Sequence, residues 1–133
     1  MSSKARFVSV HNETRDCVLS SQVRVADTGW TRLVGLLGQS SLPADSGIWI
    51  TPSNSIHTIG MRFAFDVVFI SKSYRVVGLR AGIRPFRITL PNFKARSVLE
   101  LPAGTISRSG TEIGDQLRIA SELPKPIQGT SAL

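Results

Sequence analysis

The segment Phe63-Ala-Phe-Asp-Val-Val-Phe-Ile70 is the most apolar run in the chain, and it is apolar at both alternating sets of positions except for Asp66. Successive side chains of a strand point to opposite faces, so a run of this kind needs cover on both sides. The chain is thereby committed to a layered β domain with this segment as a central strand. A carboxylate inside such a strand costs several kcal/mol unless charged donors or hydrogen bonds compensate it, so Asp66 requires partners from elsewhere in the fold.

The 133 residues suffice for one domain and not for two. Phe7–Val10 and Cys17–Leu19 read as a first strand pair, with residues 11–16 as the polar connection, which puts His11 in a turn. Val23–Val25 continues in the β register. Gly47–Ile50 reads as a buried strand, broken at Pro52, which has no amide hydrogen for a ladder. Tyr74–Leu79 is the expected hairpin partner of the central strand across Ser71–Ser73. Ser97–Leu101 and Gln116–Ala120 are further strands, with turns at Pro102-Ala-Gly104 and Gly114-Asp115. Trp30, Leu33, Val34 and Leu37 recur at helical spacing after Asp27 or Thr28, which can cap, and before Gly38, which can stop the helix. The fold class is mainly β, or α+β by strict count: a compact, largely antiparallel sheet, barrel- or sandwich-like, with one short helix near residues 28–37. The domain is expected over residues 1–121, with residues 122–133, which hold two prolines and no periodicity, as a disordered tail.

The single cysteine, Cys17, and two histidines, His11 and His57, supply neither an internal disulfide nor the ligand cluster of a zinc or iron–sulfur centre, so no metal and no cofactor is implied. Cys17 lies among apolar strand residues and is expected to be buried and inert. No apolar run has signal-peptide length or approaches the roughly 20 residues of a membrane helix, so the expectation is a cytoplasmic protein without membrane insertion.

The formal charge of +7 is concentrated. Arg62, Lys72, Arg75, Arg80, Arg84, Arg87, Lys94 and Arg96 face a single acid, Asp66, within residues 62–96, and the remainder of the chain is balanced. A one-sign cluster rich in arginine favours oxyanions, so an acidic protein, a small anionic ligand or a nucleic acid is the expected class of partner. Tyr74, Phe86 and Phe93 interleave with these cations as in single-strand binders. Ribonucleoprotein motifs are absent, however, and Pro85 and Pro91 favour a loop that Phe86 and Phe93 pin to the core.

Asp66 also enters the sharpest candidate site. Arg62 lies about 13 Å away along an extended strand, so His57, Arg62 and Asp66 converge only if the chain turns or bulges at Gly60. Read chemically, His57 is a general base oriented by Asp66 or Glu100, with Thr58 or Ser55 as hydroxyl and Arg62 holding an anionic substrate. Read structurally, Asp66 and Glu100 accept hydrogen bonds from loop amides or pair with arginine, and this reading is preferred. No nucleophile elbow, phosphate-binding loop or dinucleotide fingerprint is present.

Arg32-Leu-Val-Gly-Leu-Leu-Gly38, Ile56-His-Thr-Ile-Gly-Met-Arg-Phe-Ala-Phe-Asp-Val-Val-Phe-Ile70, and Val98-Leu-Glu-Leu-Pro-Ala-Gly104 with Gly114-Asp115 together resemble the prokaryotic domain of unknown function family 192, over about residues 20–120. The resemblance implies a mainly antiparallel β domain with one short helix, and no assigned reaction. Asp66, Glu100, Gly104, Gly114 and Asp115 match as motif positions. Many members have an aromatic-Met-Lys-Asn-Thr stretch where this chain has His57-Thr-Ile-Gly-Met61, which resembles an Ile-His-Thr subgroup. The expected function is a non-enzymatic binding or accessory module, with an anion-favouring surface over Arg62–Arg96 that includes Arg75, Arg80, Arg84 and Arg87, and with Thr58 as a further contact. The alternatives are nucleic-acid binding through the same cations, and a small enzyme using His57 with Asp66 or Glu100.

Overall fold

A computed structural model describes residues 6–26, 42–55, 63–84 and 89–121. Their elements are β1 (Phe7–Asn12), β2 (Cys17–Ala26), β3 (Ser46–Ile50), β4 (Phe65–Ile70), β5 (Val76–Ile83), β6 (Ser97–Pro102), a one-turn helix α1 (Thr105–Ser109) and β7 (Leu117–Ser121). The helix expected near residues 28–37 and the tail at 122–133 lie outside the described residues.

All six residues of β4 are buried, as the doubly apolar run requires. The seven strands form one sheet in the order β5-β4-β6-β3-β2-β1-β7. Its neighbours are antiparallel except for β2 and β3, which run parallel. Alternation sorts the apolar side chains to two faces. Val68, Ile70, Leu99, Leu101 and Trp49 join the strand residues of β1, β2 and β7 on one, while Phe65, Val67, Phe69, Ile48, Ile50 and Val98 form a second cluster on the other.

The sheet curls into a half-barrel that closes at one end. Arg75 bridges Gln116, the Val76 amide donates to the Asp115 carbonyl at 2.9 Å, and the Leu117 amide donates to the Tyr74 carbonyl at 2.8 Å. The Arg75 guanidinium adds a bond to the Gly114 carbonyl at 3.0 Å. Beyond these bonds β5 and β7 share no ladder among the described residues.

Three local expectations are corrected. His11 is not in a turn: β1 runs on to Asn12, and His11 pairs with Val18 and Arg118. The extension places the Asn12 side chain inside the closed end, where its Nδ2 donates to Thr111 Oγ1 and Asp115 Oδ2. Cys17 is half-buried rather than buried, with Sγ 3.9 Å from the Ser109 carbonyl. The turn at Pro102-Ala-Gly104 leads into α1, which was not expected from the sequence. Gly104 and Gly110 bound it with positive φ, values glycine adopts without a Cβ clash.

Asp115 ties this end together. One oxygen accepts from Asn12 Nδ2 at 2.9 Å, Arg15 Nε at 2.9 Å and the Glu112 amide at 3.0 Å, and Arg15 also pairs with Glu112. Burial alone would raise the Asp115 carboxyl, but the bonds from Arg15, Asn12 and the Glu112 amide outweigh it and hold it at about 2. Its stabilising contribution is therefore complete above the ordinary value of 3.8 and is lost as pH falls towards about 2. Asp115→Ala leaves those donors unsatisfied, and urea unfolding at pH 7 should show a loss of about 3 kcal/mol. The acid-induced fall of stability between pH 4 and pH 2 should be shallower in the variant. An unchanged acid profile would remove Asp115 from this role.

Candidate functional site

Asp66 has the partners its position demands. Its Oδ1 accepts from the Gly82 amide at 2.9 Å and its Oδ2 from the Ile106 amide at 2.8 Å. Gly82 has φ 63 and lies in the β5 irregularity opposite Phe65 and Val67, so the carboxylate fixes a bulge at one oxygen and the first turn of α1 at the other. Both oxygens thus hold backbone, in keeping with the structural reading of this residue.

Glu100 is placed differently. It pairs with Ile48 on one side and Val67 on the other, and it shares the face of Val98, whereas Asp66, opposite Leu101, shares the face of Leu99 and Leu101. The two carboxyls therefore lie on opposite faces of the sheet. Glu100 is buried, and its Oε2 has no hydrogen-bond partner among the described residues. Burial pushes its carboxyl from the ordinary 4.5 up to about 8, so it carries a proton at neutral pH.

His57, Thr58, Arg62 and Arg87 lie outside the described residues. The described cations do not form one patch. Arg75 belongs to the barrel closure, and Arg84 and Arg96 are exposed at either side of the β5–β6 connection. Arg80 and Lys94 come together, lining an open groove of about 580 Å³ over the middle of β5. The groove's other wall is the 90–94 loop, held to the sheet by Asn92, whose Nδ2 donates to the Val77 carbonyl at 3.1 Å and whose amide donates to the Asn54 carbonyl at 2.8 Å. Gly78 permits this approach: a Cβ there would stand 2.6 Å from Asn92 Nδ2 and 3.0 Å from Phe69 Cδ2.

Phe93 corrects the expectation that it pins the loop to the core. It is 88% exposed, and Asn92 does the pinning. Phe86, its expected companion, lies outside the described residues. Tyr74 packs on Trp49, with ring centroids 6.3 Å apart, and does not line the groove. Leu90 and Ile113, 80% and 66% exposed, line it with Phe93. The sequence reading did not select these two; the only available signal was an apolar residue in a loop next to proline or glycine, which does not distinguish an exposed side chain from a buried one.

The family model described as DUF192, Uncharacterized ACR, matches residues 10–119. A UPF0127 protein of Thermococcus sibiricus is 30% identical over 132 residues, covering 92% of this chain and 84% of the relative. Another, from Pyrococcus furiosus, is 32% identical over 111 residues, covering 80% and 93%. Among solved structures, a "putative transcription regulator" of Sinorhizobium meliloti superposes with a TM-score of 0.74 at 21% identity, covering 90% of this chain and 96% of the other. A protein of unknown function from Novosphingobium aromaticivorans gives 0.72 at 23% identity, with coverages of 86% and 84%. At these identities the structural likeness is one of fold.

The two carboxyls give separable expectations. Asp66→Ala leaves two amides without their acceptor, and urea unfolding should register a loss of about 3 kcal/mol; a loss below about 0.5 kcal/mol would contradict the assignment. Glu100 ionises in the unfolded chain near 4.5 and in the native one near 8, so folding takes up a proton and stability falls as pH rises through that window. Unfolding free energies measured from pH 5 to 8 should lose about 1.4 kcal/mol of slope per pH unit in Glu100→Gln. Parallel profiles for the variant and the parent would show that Glu100 is not held protonated.

Proposed function

The chain belongs to the DUF192 family, and from that premise we propose that it is a binding or accessory module, not an enzyme, which takes an anionic partner at the β5 groove. One observation carries the reading: the charged residues that line the groove among the described ones, Arg80 and Lys94, are exposed cations, set beside the exposed apolar side chains Leu90, Phe93 and Ile113. Exposed apolar groups gathered in one concavity are characteristic of recognition surfaces, and the cations select the sign of what enters. The balance of charge along the chain adds support, since residues 62–96 hold eight cations and one acid, and that acid, Asp66, is buried.

A nucleic acid is the second reading. Phe93, exposed next to Lys94, suits base stacking, and the Sinorhizobium meliloti protein of similar fold is described as a putative transcription regulator. The third reading, an enzyme using His57 with a carboxyl, draws support from the protonated Glu100. It is weakened by Asp66, whose oxygens are both engaged by backbone amides.

Amide NMR titration with poly-L-glutamate and, separately, with a thymidine 20-mer, each at about 50 and 200 mM salt, tests the proposal. Shifts are expected at Arg80, Lys94 and the 90–93 loop, weakening at least tenfold at the higher salt if several charges are neutralised. Arg80→Glu combined with Lys94→Glu should abolish them while leaving the rest of the spectrum in place. Response to the thymidine strand alone selects the nucleic-acid reading, and response to neither probe at the lower salt overturns both.

A further inference from the structure

β5 is a terminal strand of the sheet, and its outer edge has defined limits. At one end the edge is sealed through Val76, whose amide and carbonyl bond to Asp115 and Gly114. At the other end the chain bulges at Gly82, whose amide is taken by Asp66. Between these limits, over Gly78–Ala81, no hydrogen bond from the described residues reaches the outer edge of the strand. Asn92 takes the carbonyl of Val77, just before this stretch. An unpaired edge of this kind is a template for another strand, and proteins that do not use such an edge ordinarily blunt it.

We propose that the groove receives an extended, acidic segment of another polypeptide, which hydrogen-bonds to β5 over Gly78–Ala81 as an added strand. This rests on the reading of the groove as an anion-binding surface and goes further by naming the occupant. An added strand presents side chains alternately. The set on the face of Arg80, which is also the face of Gly78 and of the Asn92 loop, carries carboxylates to Arg80 and Lys94, with Leu90, Phe93 and Ile113 lining the same groove. Charge also selects against a second copy of this chain, because edge-to-edge pairing of two β5 strands would bring like charges together at Arg80. A nucleic acid would use the cations and Phe93, but its phosphates and bases do not match the alternating donors and acceptors of a strand edge, nor the aliphatic Leu90 and Ile113.

The probe is a ten-residue synthetic peptide alternating valine and glutamate, compared with the same peptide N-methylated at every residue, which retains charge and side chains but cannot donate a hydrogen bond from either edge. NMR titration of the full chain should show the unmethylated peptide binding at least tenfold more tightly, with slowed hydrogen exchange at those amides of Gly78–Ala81 that face away from β4. Arg80→Glu, an exposed substitution, should weaken it at least tenfold. Equal, salt-dependent affinity for both peptides would overturn strand addition while leaving the anion-binding reading intact. Shifts produced only by a thymidine 20-mer would overturn the polypeptide occupant. Absence of shifts with any of the three probes would overturn the occupant and the anion-binding reading together.

Discussion

An ionisable side chain in the middle of a strand buried on both faces must find donors from outside that strand, and the way Asp66 meets this requirement organises much of the molecule. Its two oxygens reach the Gly82 amide in β5 and the Ile106 amide in α1. One carboxylate thereby fixes where β5 bulges and where the helix after β6 sits. The same side chain thus couples β5 to the helix that follows β6, across β4. A residue that would be a strong candidate for chemistry on its type alone is used in this fold for geometry.

The closed end of the half-barrel is held by a second polar assembly, around Asp115 and Arg15, and the two assemblies together delimit the surface that remains open. Closure stops at Val76 and the bulge begins at Gly82, so among the described residues nothing pairs with the β5 edge between them. The groove is a consequence of this incomplete closure. Asn92, packed against Gly78, adds its second wall by holding the 90–94 loop close to the strand without covering it.

Charge is divided in the same way. Arg15 and Arg75 are consumed by the closure, and Glu100 is kept neutral by burial on the opposite face from Asp66. What is left exposed at the groove is positive, which gives a small, otherwise mixed surface a definite sign. Desolvation thus removes one acid from the chain's electrostatics, hydrogen bonding engages a second, and the cations beside them are left to define recognition.

The strand framework is legible in the residues, because alternation and doubly apolar runs are local properties: the run Phe63–Ile70 calls for a covered strand, which the fold forms over Phe65–Ile70 with Ala64 left exposed before it, and Asp66 has the partners it needs. The family pattern was equally legible in the residues of Ile56–Ile70, Val98–Gly104 and Gly114-Asp115. Boundaries set by distant contacts were not. β1 extends through His11 because Asn12 bonds to residues about a hundred positions away, and α1 is too short to show a periodicity. Long-range register and packing set the rest: that Asp66 and Glu100 face opposite sides, that Phe93 is exposed while Asn92 anchors its loop, and that Arg80 and Lys94 share a groove with Leu90 and Ile113. Each of these depends on register between strands and on where the curled sheet stops closing, and the period of a pattern within one segment carries no information about either.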